Sequence, residues 1–272
     1  MTLSPAPLSP SLVVTRLRAA GCVFAEDEAR LLLSAARTPG ELAAMVDLRV
    51  SGLPLEHVLG WAEFCALRIA VEPGVFVPRR RTEFLVNRAV ALAGAAGNHP
   101  RPIVVDLCCG SGAVGAALAA ALPEVELHAV DLDAAAVRCA RRNLVALGGR
   151  VYQGDLYEPL PAELSRRVDV VVANAPYVPS EAVETLPPEA RVHEPRTALD
   201  GGTDGLGVLM RVAAEAPRWL AIGGHLLVET SEGQAPAMVD ALVHSGLIAE
   251  VARSEELNST VVIGTQPGPF HE

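Results

Sequence analysis

The chain has 272 residues, half of them apolar and a fifth charged, and carries a formal net charge of −10 at pH 7. This composition excludes a disordered chain and provides a core for one large α/β domain plus a small extra one. All 22 basic residues are arginine, and the acidic balance disfavours a partner held through nucleic-acid phosphates.

In chain order, residues 1–10 hold three prolines and two serines and read as a loose tail. Amphipathic helical patterns follow near 11–20, 25–36 and 39–50, the last opened by a capping box of Thr38 and Glu41 with Pro39 at the first helical position. Helices this short must pack on one another, so a small bundle is expected. Residues 55–72 read as an extended, β-rich connector that ends at Pro73-Gly74, which sets the expected domains at 1–72 and 73–272. Beyond residue 100, strands near 103–108, 126–132, 151–155, 168–176 and 225–230 alternate with helices at 113–122, 133–147, 205–219 and 233–245. Two strand patterns, 247–252 and 259–265, close the chain. Fully apolar strands alternating with helices indicate a mainly parallel sheet covered on both faces, with its ligand at the carboxyl ends of the strands.

The cysteines Cys22, Cys65, Cys108, Cys109 and Cys139 form no CxxC pair, so neither a metal site nor a disulfide framework is expected. No secretory pattern opens the chain and no apolar run is long enough for a bilayer, so a soluble, cytoplasmic protein is expected.

Four motifs sit at the strand ends. The first runs from Asp106 through Cys108, Cys109, Gly110, Ser111 and Gly112 to Gly115, where small residues let a backbone approach a ligand and the next helix offers free amides. Alone it signals an adenosine-type cofactor and no more, which leaves a nicotinamide dehydrogenase as a rival. The second is Asp131, followed by Leu132, a carboxylate placed to accept both ribose hydroxyls. The third is Asp155 with Leu156, the acid suited to an exocyclic amine of adenine and the leucine to its face.

The fourth is Asn174-Ala175-Pro176-Tyr177. A planar NH2 is a poor nucleophile because its lone pair is delocalised. Two acceptors, the Asn174 side-chain carbonyl and the Ala175 main-chain carbonyl, can hold both N–H bonds, aim the lone pair at an activated methyl and favour the charge that develops. Tyr177 can offer a flat face, and no base is needed before transfer. This chemistry serves a glutamine amide or, as the alternative reading, the amino group of adenine in DNA or RNA.

Asn174-Ala175-Pro176-Tyr177 resembles the Asn-Pro-Pro-Tyr signature of amino-group methyltransferases. LEHVLGWAEF (55–64), VFVPRRRTE (75–83) and EPRTALDGGTDGL (194–206) are similar to one branch, the peptide chain release factor N5-glutamine methyltransferase family. The resemblance implies a seven-stranded Rossmann-like class I methyltransferase sheet, mostly parallel with its last strand antiparallel, beside a small N-terminal helical domain. It implies S-adenosyl-L-methionine held by Asp106, residues 108–112, Asp131, Leu132, Asp155, Leu156 and Asn174. It also implies a substrate glutamine, that of the Gly-Gly-Gln loop of a class I release factor, held by Phe76, Arg79 and residues 174–177, and a monomeric enzyme. The chain departs from the pattern at Ala175, which replaces a proline, at Arg80 and Arg81, which replace a proline and an acid, and at Cys108-Cys109, which replace Gly-Thr. These departures leave room for a paralogue that methylates another protein.

Overall fold

A computed structural model describes residues 8–96, 101–122 and 124–268. Most of the expected tail lies outside the described residues, and its last residue already opens a helix: α1 (Pro10–Ala19) is capped by the Ser9 side chain. With α2 (Ala25–Ala35) and α3 (Pro39–Val50) it closes a small core of Val13, Leu17, Ala25, Leu32, Leu42 and Val46. The capping box forms at Thr38, whose Oγ1 accepts the Glu41 amide at 3.1 Å, while the Glu41 carboxylate reaches the Arg37 amide at 2.8 Å. Inside the bundle Arg49 meets Glu28 with two hydrogen bonds of 2.6 and 3.0 Å.

The connector differs from expectation at its start. Residues Leu55–Leu59 form a short helix, α4, ended by Gly60 in the left-handed region. A hairpin of β1 (Trp61–Phe64) and β2 (Leu67–Ala70) follows, turned by Cys65 and Ala66 at φ 49° and 59°. Its Phe64 and Ile69 are buried with the helices of the large sheet, and Asn143 brackets Ala70 through both of that residue's main-chain groups, at 3.0 and 2.9 Å. A helix that the periodicity did not reveal, α5 (Glu83–Ala96), then packs Leu85, Val86 and Ala89 against the same face.

Seven strands form the main sheet: β3 (Ile103–Leu107), β4 (Glu126–Asp131), β5 (Arg150–Gln153), β6 (Val168–Ala173), β7 (Leu220–Thr230), β8 (Ile248–Ser254) and β9 (Ser259–Thr265). Their order is β5-β4-β3-β6-β7-β9-β8, parallel except that β9 runs antiparallel to both neighbours. β7 begins five residues earlier than the sequence suggests because it continues directly from the helix before it and pairs Leu220 with Val168. Side chains alternate faces along the strands. Val105 and Leu107 join α9 (Gly207–Trp219) and α10 (Ala235–His244), whereas Val104 joins α5, α6 (Ala113–Ala121) and α7 (Ala134–Leu144). A further short helix, α8 (Pro188–His193), lies in the loop after β6, and its Glu189 reaches Arg49 of the bundle at 2.6 Å. Among the described residues no helix is long and apolar enough to cross a membrane. The strand order reverses between β3 and β6, which opens a crevice at their carboxyl ends.

Candidate active site

A cavity of about 440 Å³ occupies that crevice. Asp106, Cys108, Cys109, Gly110, Ser111, Asp131, Leu132, Asp155, Leu156, Asn174, Pro176 and Phe76 all line it. Of the residues singled out from sequence, Gly112, Ala175, Tyr177 and Arg79 do not reach its wall.

The floor is the turn from β3 into α6. Cys108, Gly110 and Gly112 all take positive φ, at 55°, 55° and 77°. A side chain on Gly112 would meet Leu144 at 3.0 Å and the Ala140 backbone at 3.2 Å, so α6 can lie this close to α7 only with glycine there. Asp106 is buried beneath the turn and accepts the Gly115 amide at 2.9 Å, a favourable place for a carboxylate at a helix N-terminus. Burial nevertheless pushes its carboxyl up to about 7, opposed by that amide and aided by nearby Asp131. Asp131 ends β4, accepts the Gly110 amide at 2.8 Å and the Asp133 amide at 2.9 Å, and is likewise raised, chiefly by burial. Burial, reinforced by the neighbouring carboxylates, lifts the Cys108 and Cys109 thiols, which keeps both neutral. The floor is thus acidic and apolar together, and it favours a ligand with hydroxyl donors and positive charge.

One wall comes from the end of β5. Leu156, at φ 47°, is buried, and Leu132, just beyond β4, lines the same cavity with 64% of its surface exposed. Asp155 is engaged by Arg211 of α9 at 2.7 Å, a partner that sequence reasoning missed.

The opposite wall includes Asn174 and Pro176 of the 174–177 turn. Asn174 lines the cavity and donates its Nδ2 to the Thr82 hydroxyl at 3.2 Å, which leaves its Oδ1 unengaged by that bond. Among the described residues nothing donates to Asn174 Oδ1 or to the Ala175 carbonyl. Tyr177 is turned aside: its hydroxyl donates to buried Glu229 at 3.1 Å, where Arg81 also binds at 3.1 Å. The Tyr177 carbonyl is held by Gln234 at 2.9 Å. The loop after the motif lies so close that a side chain on Gly205, at φ 75°, would run into that same carbonyl. Arg79 is occupied as well, since both oxygens of buried Glu194 accept its guanidinium at 2.6 Å, and Glu194 also accepts the Val77 amide. Burial raises the Glu194 carboxyl against the pull of Arg79.

Residues 67–205 match the family described as Methyltransferase small domain. The release factor glutamine methyltransferase of Geobacter sulfurreducens is 39% identical over 213 residues, 76% of this chain and 72% of that protein. The 4-amino-L-phenylalanine/4-methylamino-L-phenylalanine methyltransferase of Streptomyces pristinaespiralis is also 39% identical, over 79% of this chain and 74% of its own length. In fold, the chain is similar to the 16S rRNA N2 G1207 methyltransferase of T. thermophilus, solved with its methyl donor and guanosine, at a TM-score of 0.53 and 21% identity over 76% of this chain and 49% of that one. The seven-stranded sheet, the crevice at its switch point and these relatives agree: the chain is an S-adenosylmethionine-dependent methyltransferase and belongs to the release factor glutamine methyltransferase family.

Proposed function

We propose that this enzyme methylates the side-chain amide nitrogen of a glutamine in a peptide chain release factor, in its Gly-Gly-Gln loop. The donor supplies an electrophilic methyl group on a positively charged sulfur. Asp131 would hold its ribose, the 108–112 turn its amino-acid end, and Leu132 and Leu156 the faces of its adenine, with Asp155 beside the exocyclic amine. The acidic, desolvated floor favours the cation, because binding positive charge relieves the cost that burial imposes on Asp106 and Asp131.

The observation that carries the reading is the pair of unspent acceptors at the end of β6, Asn174 Oδ1 and the Ala175 carbonyl. They match the two N–H bonds of one amide and hold its lone pair in line before reaction. As the nitrogen loses its planarity it gains positive charge, which two fixed carbonyl oxygens stabilise in a dry site. The surplus proton can then leave to water, so transfer itself requires no base beside Asn174. Phe76 would cover the acceptor slot, and Arg79 serves it indirectly by clamping Glu194 and the loop after the motif.

The Streptomyces pristinaespiralis relative supports a second reading, the amino group of a free aromatic amino acid, since it is as similar as the release factor enzymes. Incubation of the enzyme and donor with an intact release factor, with free 4-aminophenylalanine and with nucleic acid separates the cases by mass spectrometry. A gain of one methylene on the glutamine of the Gly-Gly-Gln loop is expected. Methylation confined to the amino acid or to nucleic acid would overturn the proposal.

A further inference from the structure

We infer that Thr82 is a positioning residue that anchors the inner end of the Asn174 side-chain amide and so holds its outer end at the acceptor slot. This rests on the function proposed above. An asparagine amide has two senses of nearly identical shape and opposite chemistry: one presents an acceptor, the other two donors. With Oδ1 outward the group accepts a substrate N–H, and with Nδ2 outward it meets the substrate NH2 donor against donor.

The protein places one hydrogen-bond partner at the inner end of this amide, the Thr82 hydroxyl at 3.2 Å, contributed from 92 residues away in sequence. Thr82 is 2% exposed and lines the same cavity. It ends the tight turn Arg80–Thr82, whose Thr82 amide is tied to the Arg79 carbonyl at 2.9 Å and which leads straight into α5. Its branched side chain has few rotamers to choose from, so the hydroxyl is held in place by backbone as well as by packing. A hydroxyl can also donate, so the pair alone allows both senses. Accepting from Nδ2 is the sense that leaves Oδ1 for the substrate, and the two N–H donors of the arriving amide favour that same sense. Thr82 therefore holds the amide in place, and the substrate's donors select the sense that turns Oδ1 outward.

The test is Thr82→Val, which keeps the shape and removes the hydroxyl, beside Thr82→Ser, which restores it. For Thr82→Val, kcat toward the release factor is expected to fall about 10- to 100-fold, the loss typical of a misaimed reacting group. Binding of S-adenosylhomocysteine stays unchanged, and Thr82→Ser recovers kcat to within about threefold of wild type. Should Thr82→Val fail to bind S-adenosylhomocysteine, Thr82→Ala replaces it with the same expectation. A hydroxyl-free variant with wild-type kcat, while Asn174→Ala is inactive, would refute the role of Thr82 and leave the proposed function standing. An equal loss in Thr82→Ser would show a packing role and refute it as well. If Asn174→Ala itself remains active, the function reading fails first.

Discussion

The two halves of the active-site cavity are assembled in different ways. The half proposed to hold the cofactor is local: Asp106 reaches Gly115 nine residues on, and Asp131 reaches Gly110 across one β-α-β unit, 21 residues apart. The acceptor half is held from far away. Thr82 meets Asn174 over 92 residues, Arg79 meets Glu194 over 115, and Arg81 meets Glu229 over 148. A site made in this way lets the donor grip stay fixed while the connector and the loop after the motif vary with the substrate. It also locates the departures from the family pattern. Cys108 strains the donor half through its backbone, whereas Arg81 reshapes the acceptor half by holding Glu229 beside Tyr177.

The sharpest way to break this comparison is a pair of substitutions that should fail in opposite ways. Asn174→Ala should lower kcat about 10²- to 10³-fold, as loss of one group that stabilises developing charge does, with the affinity for S-adenosylhomocysteine kept. Asp131→Ala should weaken S-adenosylhomocysteine about 10- to 100-fold, from lost charge-assisted hydrogen bonds, when measured by calorimetry. If both variants lost the same parameter, the halves would not be separable.

Next in size, Arg79→Ala leaves Glu194 buried without its cation. The expected cost is about 2 kcal/mol in denaturant midpoint, below that of a fully buried pair because Arg79 is itself a third exposed, together with a raised KM for the release factor. The smallest effect is a gain. Cys108 holds a left-handed φ of 55° that an L side chain resists by about 1 kcal/mol, so Cys108→Gly should stabilise the protein by up to that amount, whereas Cys108→Ala should not. Thermal unfolding of the two variants decides it.

The same division explains what could be read from sequence. The half proposed for the cofactor lies in contiguous stretches at strand ends, so the place of the glycine turn, Asp131 and Leu156 beside one cavity was legible from strand periodicity and spacing. The succession of strands along the chain and the helices of the bundle were legible from periodicity as well, with Thr38 marking the start of α3 to the residue. Other features were not. The hairpin turn at Cys65-Ala66 carries neither glycine nor asparagine, so its positive φ values have no local signal. Helix α5 follows three arginines at its N-terminus, where the helix dipole favours acids, and it is read only through tertiary packing. Thr82 and Glu194 lie in segments that carry the family resemblance, and Gln234 in none, but nothing local pairs any of them with its partner, Asn174, Arg79 or the Tyr177 carbonyl. Tyr177 shows the converse: its motif is plain in the sequence, but the carboxylate of Glu229 draws the ring away from the cavity wall.

The central claim is that two carbonyl oxygens at the end of β6 hold one NH2 toward the donor. A crystal structure with S-adenosylhomocysteine and a glutamine-bearing release factor loop tests it directly. The account predicts the substrate nitrogen within hydrogen-bond distance of both Asn174 Oδ1 and the Ala175 carbonyl, on the side of the sulfur. A glutamine seated elsewhere, or an Asn174 amide turned with Nδ2 toward the slot, would contradict it.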